Sequence, residues 1–293
     1  MPSPNPRIPF TLEGDTPPLP AFSGKRVIVN LAVNVEHWPF DQPMPRAILP
    51  PPHGMRAVPD VPNFTWVEYG LRVGMKQLLD MCARLGVRAS ALNNSNICTE
   101  YPRLAEAMLK ADWEFVGHGL FQRGLAAFEN DAEIVEQCLG VMRRFSGQPV
   151  RAWLGPGMSE KDNTPEVLRR NGVYYLHDWL VDDEPVWMTT ADGPMVSVPY
   201  TVELNDVPIY VVANHVSDEL PNRIRATLAW FARGGFSRTR VMTIALHPHI
   251  IGVPHRMEPF VRAMEELRAH PQVAFATSSE IGDWFVQQRP APG

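Results

Sequence analysis

The side chains in this sequence that could move protons or hold a metal are unevenly placed. Glu36 and His37 follow ten largely apolar residues (26–35) and precede Trp38. His118 stands between Gly117 and Gly119, with Gln122 four residues on. Asp178-Trp179 closes the run VYYLH, and His247 and His249 follow RVMTIAL. Asn93, Asn94, Ser95 and Asn96 follow VRASAL, and Gly155-Pro156-Gly157 follows VRAWL. A carboxylate at position 36 is expected to be partly desolvated, which raises its pKa and suits a general base. Histidine, with an ordinary pKa of about 6.5, both donates and accepts protons near neutrality. Glu36, His37, His118 and His247, converging on one rim, therefore point to a functional site. A single histidine at a strand end is more often a satisfied hydrogen-bonding residue, and His53, His215, His255 and His270 are read that way. Trp38, Trp153 and Trp179 are read as half core and half pocket wall, which suits a flat ligand, and Asn94 is assigned to the same pocket.

These groups matter only if the chain brings them to one place. Strands are predicted over 26–35, 87–92, 113–117, 150–155, 173–179, 240–247 and 273–277, with shorter ones at MVSVPY and IYVVA. Helices are predicted from a capping box at Thr65–Glu68 to Gly86, and over 103–111, 132–145, 165–171, 222–235, 254–270 and 278–288. Such alternation argues an α/β fold with a parallel sheet. About seven units in this length favour a closed or nearly closed β/α barrel, whose chemistry collects at the C-terminal strand ends. No glycine-rich nucleotide-binding turn is present: the first strand runs into Glu36-His37-Trp38-Pro39.

The chain has 293 residues, 45% hydrophobic and 20% charged, with a formal charge of −5. It shows no basic stripe for a nucleic acid, no apolar run long enough to span a membrane and no signal-peptide pattern. A cytoplasmic location is expected, with Cys82, Cys98 and Cys138 as reduced thiols in or near the core. Of thirty prolines, seven cluster at 2–20 and eight at 39–62. The expected organisation is an extended arm over 1–24 on the surface or on a neighbouring subunit, one domain over 25–288, and a flexible tail over 289–293. The loop at 39–62 is expected to cover the site.

Across 25–288 the sequence resembles the polysaccharide deacetylase superfamily, the NodB-like distorted β/α barrels. Glu36-His37 matches the family's paired acids, base then metal ligand. His118 matches the first histidine of a His-x-x-x-His metal motif whose second place holds Gln122. Trp153-Leu154-Gly155-Pro156-Gly157 stands for the groove segment without its arginine or aromatic, Asp178-Trp179 for the fourth motif, and Leu246-His247 for the last. The departures, with the proline arm and the Gly-Pro-Gly loop, bring the resemblance closest to the small cyclic amide hydrolases, cyclic imide hydrolase and metal-independent allantoinase. This implies a hydrolase of non-peptide C–N bonds in small rings, cyclic imides first. The alternatives are an allantoinase, a metal-dependent sugar N-deacetylase or a catalytically degenerate binding protein. In the implied mechanism Glu36 is the base, His247 the acid or oxyanion partner, and Asp178 orients His247. Backbone N–H groups of Gly155 and Gly157 meet a ring carbonyl. The cofactor is either none or Zn²⁺ on His37 and His118, completed by Glu36 or His247. A dimer or tetramer is expected.

Overall fold

The computed structural model describes residues 4–50 and 57–291. Strand β1 (Val27–Val35) is followed, after the proline loop, by α1 (Val61–Tyr69), a π-helical turn at Gly70–Gly74 and α2 (Met75–Leu85). Next come β2 (Ser90–Asn93), α3 (Asn96–Glu100), α4 (Pro102–Lys110), β3 (Glu114–Gly117) and α5 (Asp131–Ser146). The chain continues through β4 (Ala152–Trp153), α6 (Thr164–Arg170), β5 (Tyr175–Leu176), β6 (Val186–Met188), β7 (Met195–Ser197) and α7 (Glu219–Arg233). It ends with β8 (Arg240–Leu246), α8 (Pro248–Ile251), α9 (Pro254–Ala269), β9 (Val273–Phe275) and α10 (Ser278–Gln288).

The strand order is β6-β7-β5-β4-β3-β2-β1-β8, with β9 against the first half of β1. All pairings are parallel except β6 with β7. The sheet curls into a half-barrel whose end strands, β6 and β8, do not pair with each other. The backbone N–H groups on the open edge of β8 find partners in irregular chain instead. Val241 donates to the Asp183 carbonyl (2.8 Å) and Thr243 to the Thr201 hydroxyl (3.2 Å), while Asn205 bridges to Ala245.

Alternation along each strand sorts side chains to two faces. On β1, Val27, Val29, Leu31, Val33 and Val35 pack outward under the helices, whereas Ile28 and Ala32 pack into the barrel interior. Asn30, Asn34 and Glu36 share the inward face with Ile28 and Ala32. Val241 and Ala245 of β8 point inward, which brings His247 inward as well; Val116 of β3 does the same for His118. Val196, Val198 and Tyr200 extend the inner set beyond β7.

Several elements differ from the sequence expectation. The segment IYVVA falls in a π-helical turn, Val207–Val212, capped by Ala213, not a strand; Pro208 near its start removes a donor that a strand ladder would use. The first long helix begins at Val61, capped by the Asp60 carboxylate, which accepts from Asn63 N–H (3.2 Å). Thr65 is therefore inside the helix, where its hydroxyl bonds the Val61 carbonyl (2.8 Å), and no capping box forms there. The strands expected over 150–155 and 173–179 shorten to two residues each. His53 and part of the proline loop lie outside the described residues.

The arm lies on its own barrel: Ile8 and Leu19 are buried, and Arg7 grips both oxygens of Glu166 at 2.8 and 2.9 Å. At the other terminus, the Arg289 guanidinium reaches back to the Pro17 carbonyl (2.7 Å). Cys82, Cys98 and Cys138 are free and buried, and burial raises their thiol pKa to between about 11 and about 12. Among the described residues no helix is long and apolar enough to cross a membrane.

One packing contact sets the position of the loop after β8. A Cβ on Gly70 would lie 2.3 Å from the His249 nitrogen, one on Gly74 2.1 Å from the Pro248 oxygen, and one on Gly252 2.4 Å from Gly74 Cα. The π-helical turn and α8 thus touch backbone to backbone, a close approach only glycine permits. Gly74→Ala is expected to cost about 1–3 kcal/mol, as overpacking against rigid backbone does. Urea denaturation measures it, and an unchanged midpoint would show that the two segments separate freely.

Candidate active site

At the C-terminal end of the barrel three inward side chains meet: Glu36 from the end of β1, His118 after β3 and His247 after β8. Glu36 Oε1 is 3.3 Å from His247 Nε2 and 4.0 Å from His118 Nε2. Its other oxygen accepts the Trp38 indole N–H at 2.8 Å, so the carboxylate is aimed by its own chain neighbour. His247 is held on its far side by Asp206. One Asp206 oxygen meets Nδ1 at 2.7 Å, and the other accepts the His247 backbone N–H at 2.7 Å. Glu36, His118, His247 and Asp206 are each 5% exposed or less.

The electrostatics follow from this geometry. Burial pushes the Glu36 pKa up, but the charge and hydrogen bond of His247, with smaller contributions from His249 and His118, outweigh it and bring the value to about 2. Burial pushes His247 down, while Asp206 and Glu36 together raise it to about 9. At neutral pH one proton is thus held on His247 between two carboxylates. The elevated Glu36 pKa expected from the sequence does not occur, because desolvation is only one of the terms and the imidazolium dominates.

His118 is different. Burial lowers its pKa, and its Nδ1 lies 2.6 Å from the Leu154 carbonyl, which can only accept. Nδ1 therefore carries the hydrogen, and Nε2 presents a bare lone pair toward Glu36. That Nε2 has no hydrogen-bond partner among the described residues, nor do Gln122 Oε1 or His249 Nε2. Burial drives His249 down to about 3, and its ring packs edge-to-face on Trp38 and Trp66. Trp38, Met44 and Val67 form a small apolar cluster where the proline loop meets α1.

No family model matches the chain. A putative polysaccharide deacetylase of Schizosaccharomyces pombe is 22% identical over 243 residues, 76% of each chain. The crystal structure of a probable polysaccharide deacetylase from Pseudomonas aeruginosa PAO1 superposes with a TM-score of 0.83 at 22% identity, covering 95% of this chain and 97% of that one. The crystal structure of Puue allantoinase gives 0.84 at 20% identity over the same shares. The fold is that of the polysaccharide deacetylases.

On a polysaccharide deacetylase fold the motif positions can be compared with what their side chains do here. His37 leaves β1 on the face opposite Glu36 and packs against Tyr101, ring centroids 5.8 Å apart. Gln122 offers an amide where the family motif has an imidazole. Among the described residues no three His, Cys, Asp or Glu side chains are grouped to hold a metal. The residues present do not fit the family's divalent metal, and the proposed pair His37 and His118 is not brought together.

Asp178 does not orient His247. It follows the inward-facing His177, so alternation turns it to the other side, where it accepts the Gly155 N–H at 2.7 Å. Burial first, then the neighbouring Glu160, raises its pKa well above normal. The Gly155 N–H is consequently unavailable to a ring carbonyl, and Gly157 sits exposed in a left-handed turn (φ 64°). Trp153 is fully buried over Gly117 and belongs to the core. Trp179 donates to Glu160 at 3.3 Å. Asn94 clamps strand ends, accepting the His37 N–H (2.8 Å) and donating to the His118 carbonyl. Of the three tryptophans, only Trp38 touches the Glu36 cluster.

Asp206 escaped sequence analysis. It lies in NDVPIY, just ahead of the segment misread as a strand. A carboxylate directly ahead of the apolar run VPIYVV, two residues before a proline, is the available signal.

Asp206→Asn is expected to lower the His247 pKa from about 9, readable by NMR titration of the imidazole. The sign is fixed: a raised pKa means that the imidazolium stabilises the fold fully below its unfolded value of about 6.5, and that this contribution is lost as pH rises through about 9. The variant should therefore lose stability at a lower alkaline pH than the wild type. An unmoved titration would assign the shift to Glu36 alone.

Proposed function

We propose that the protein hydrolyses a carbon–nitrogen bond in a small cyclic amide, with cyclic imides the favoured substrates. The observation that carries this reading is the sealed triad Asp206–His247–Glu36, an imidazolium and a carboxylate facing one another with a bare imidazole nitrogen alongside. A polymeric substrate needs an open groove, whereas here every central group is buried beside the Trp38–Met44–Val67 cluster. The allantoinase with the same fold is a protein whose name includes a ring substrate.

The residues divide the reaction as follows. A water between Glu36 Oε1 and His118 Nε2, which are 4.0 Å apart, can hydrogen-bond to both. Its oxygen adds to a ring carbonyl carbon while Glu36 takes its proton. The C–N bond then breaks, and His247 Nε2 gives its proton to the departing nitrogen. Transfer of the proton from Glu36 to His247 restores the starting state. One water is consumed, and an imide ring opens to an acid carrying an amide. Asp206 keeps His247 in the orientation and charge state of an acid, as carboxylate–histidine pairs do.

A ring-binding protein without turnover is the competing reading, and Gln122 in place of an imidazole is the observation that favours it.

Ring-opening rates on succinimide, hydantoin, dihydrouracil and allantoin, before and after chelation, decide between them. Turnover of at least one ring, unaffected by chelation, is expected. Glu36→Gln should remain folded and lose at least about two orders of magnitude in kcat; near-normal turnover would remove it from the role of base. His270→Ala, far from the cluster in sequence and in no contact with it, should match the wild type. The pH profile should be level through neutrality and fall as pH rises through about 9, where His247 loses its proton. Silence on all four rings would favour the binding protein.

A further inference from the structure

Tyr200 is fully buried within the barrel, and its hydroxyl is accounted for in an unusual way. The phenolic oxygen accepts N–H bonds from the side-chain amides of Asn34 (3.4 Å) and Asn205 (3.1 Å). A hydroxyl oxygen has two acceptor sites, so both are used. Its own hydrogen has no acceptor among the described residues. The other two buried or half-buried tyrosines with bonded hydroxyls donate outright, Tyr175 to Asp283 at 2.5 Å and Tyr210 to the Ser217 carbonyl at 2.7 Å. An unspent buried donor costs about 1–3 kcal/mol, so the Tyr200 O–H is a donor available to a substrate acceptor.

Its neighbours place that donor beside the catalytic groups. Asn34 precedes Glu36 by two residues and shares its inward face; its amide also bonds the Leu246 carbonyl (3.2 Å), next to His247. Asn205 adjoins Asp206. Glu36 and Asp206 both act on the Tyr200 hydroxyl electrostatically, and together with burial they keep it protonated at all ordinary pH. Two amides donating into the oxygen also polarise the O–H, which strengthens it as a donor.

Building on the hydrolase reading above, we propose that Tyr200 is a catalytic residue whose hydroxyl donates to the carbonyl oxygen of the substrate and to the oxyanion formed when water adds. The role replaces the one expected of the Gly155 N–H, which Asp178 already occupies. Asn34 and Asn205 are then positioning residues acting through Tyr200.

The test compares wild type with Tyr200→Phe on whichever of the four rings is opened. A fall in kcat of about 100-fold, the scale of losing one oxyanion donor, is expected with KM within about twofold; equal kcat overturns the proposal and leaves the hydrolase reading intact. Should Tyr200→Phe not fold, a fluorinated tyrosine at position 200 keeps the ring and oxygen but ionises at much lower pH. Its phenolate has no hydrogen to give, so activity should fall at lower pH than in wild type. An unmoved alkaline limb overturns the proposal. Should the wild type open no ring, the hydrolase reading has failed, and succinimide binding by calorimetry takes over. About tenfold weaker binding by Tyr200→Phe supports the contact; equal affinity, or no binding by the wild type, overturns it.

Discussion

The His247 imidazolium held between Asp206 and Glu36, one ring nitrogen toward each, is the interaction on which the site depends. Two carboxylates and an imidazole buried this deeply would be a severe electrostatic load if any one stood alone. Removing one partner of a buried ion pair typically costs about 3–5 kcal/mol, since it strands the charge that remains. Together they neutralise one another in part, and each fixes the others. Asp206 sets the His247 ring by gripping both its Nδ1 and its own backbone N–H, Trp38 sets Glu36, and the Leu154 carbonyl sets the tautomer of His118. The arrangement therefore specifies not only where the groups lie but which atoms carry hydrogens, and a hydrolytic step needs both.

The strands bring these groups together through a rule with no chemistry in it. In a parallel barrel, side chains two apart share a face, so Asn30, Asn34 and Glu36 line up along the interior and His247 continues the line of Val241 and Ala245. The same rule turns His37 outward, one residue from Glu36, and Asp178 outward, one residue from His177. Adjacent residues in a sequence motif are in this fold on opposite sides of a sheet.

That rule marks the boundary of what the sequence made legible. The strand–helix alternation, the strand ends carrying Glu36, His118 and His247, and the helix stops at glycine could all be read from local pattern. The face assignment is also legible: VIVNLAVNVE places asparagine and glutamate at every other residue from Asn30 on, apart from Ala32, among branched apolar residues. Asp206 and Tyr200 are harder, because they sit in irregular chain and their decisive partners, His247 and Asn34, come from strands distant in sequence. No periodicity announces such a pairing; it exists only once β8 and the segment 199–206 lie side by side. The direction of the Glu36 pKa was likewise inaccessible, since it depends on which cation arrives beside the carboxylate.

The open edge of β8 bears on how this architecture can change. Along most of the barrel, neighbouring strands are tied backbone to backbone, and a residue inserted into one would shift every side chain after it to the wrong face. At the seam the edge is satisfied piecemeal, by a carbonyl from Asp183, a hydroxyl from Thr201 and a carboxylate from Asp206. Those ties have no shared register to lose. The segment that carries Tyr200, Asn205 and Asp206 is therefore the part of the barrel where length and composition can drift between relatives while the ladder stays intact. New substrate preferences in such a lineage would be expected to arise there first, with the strands serving as an unchanging frame.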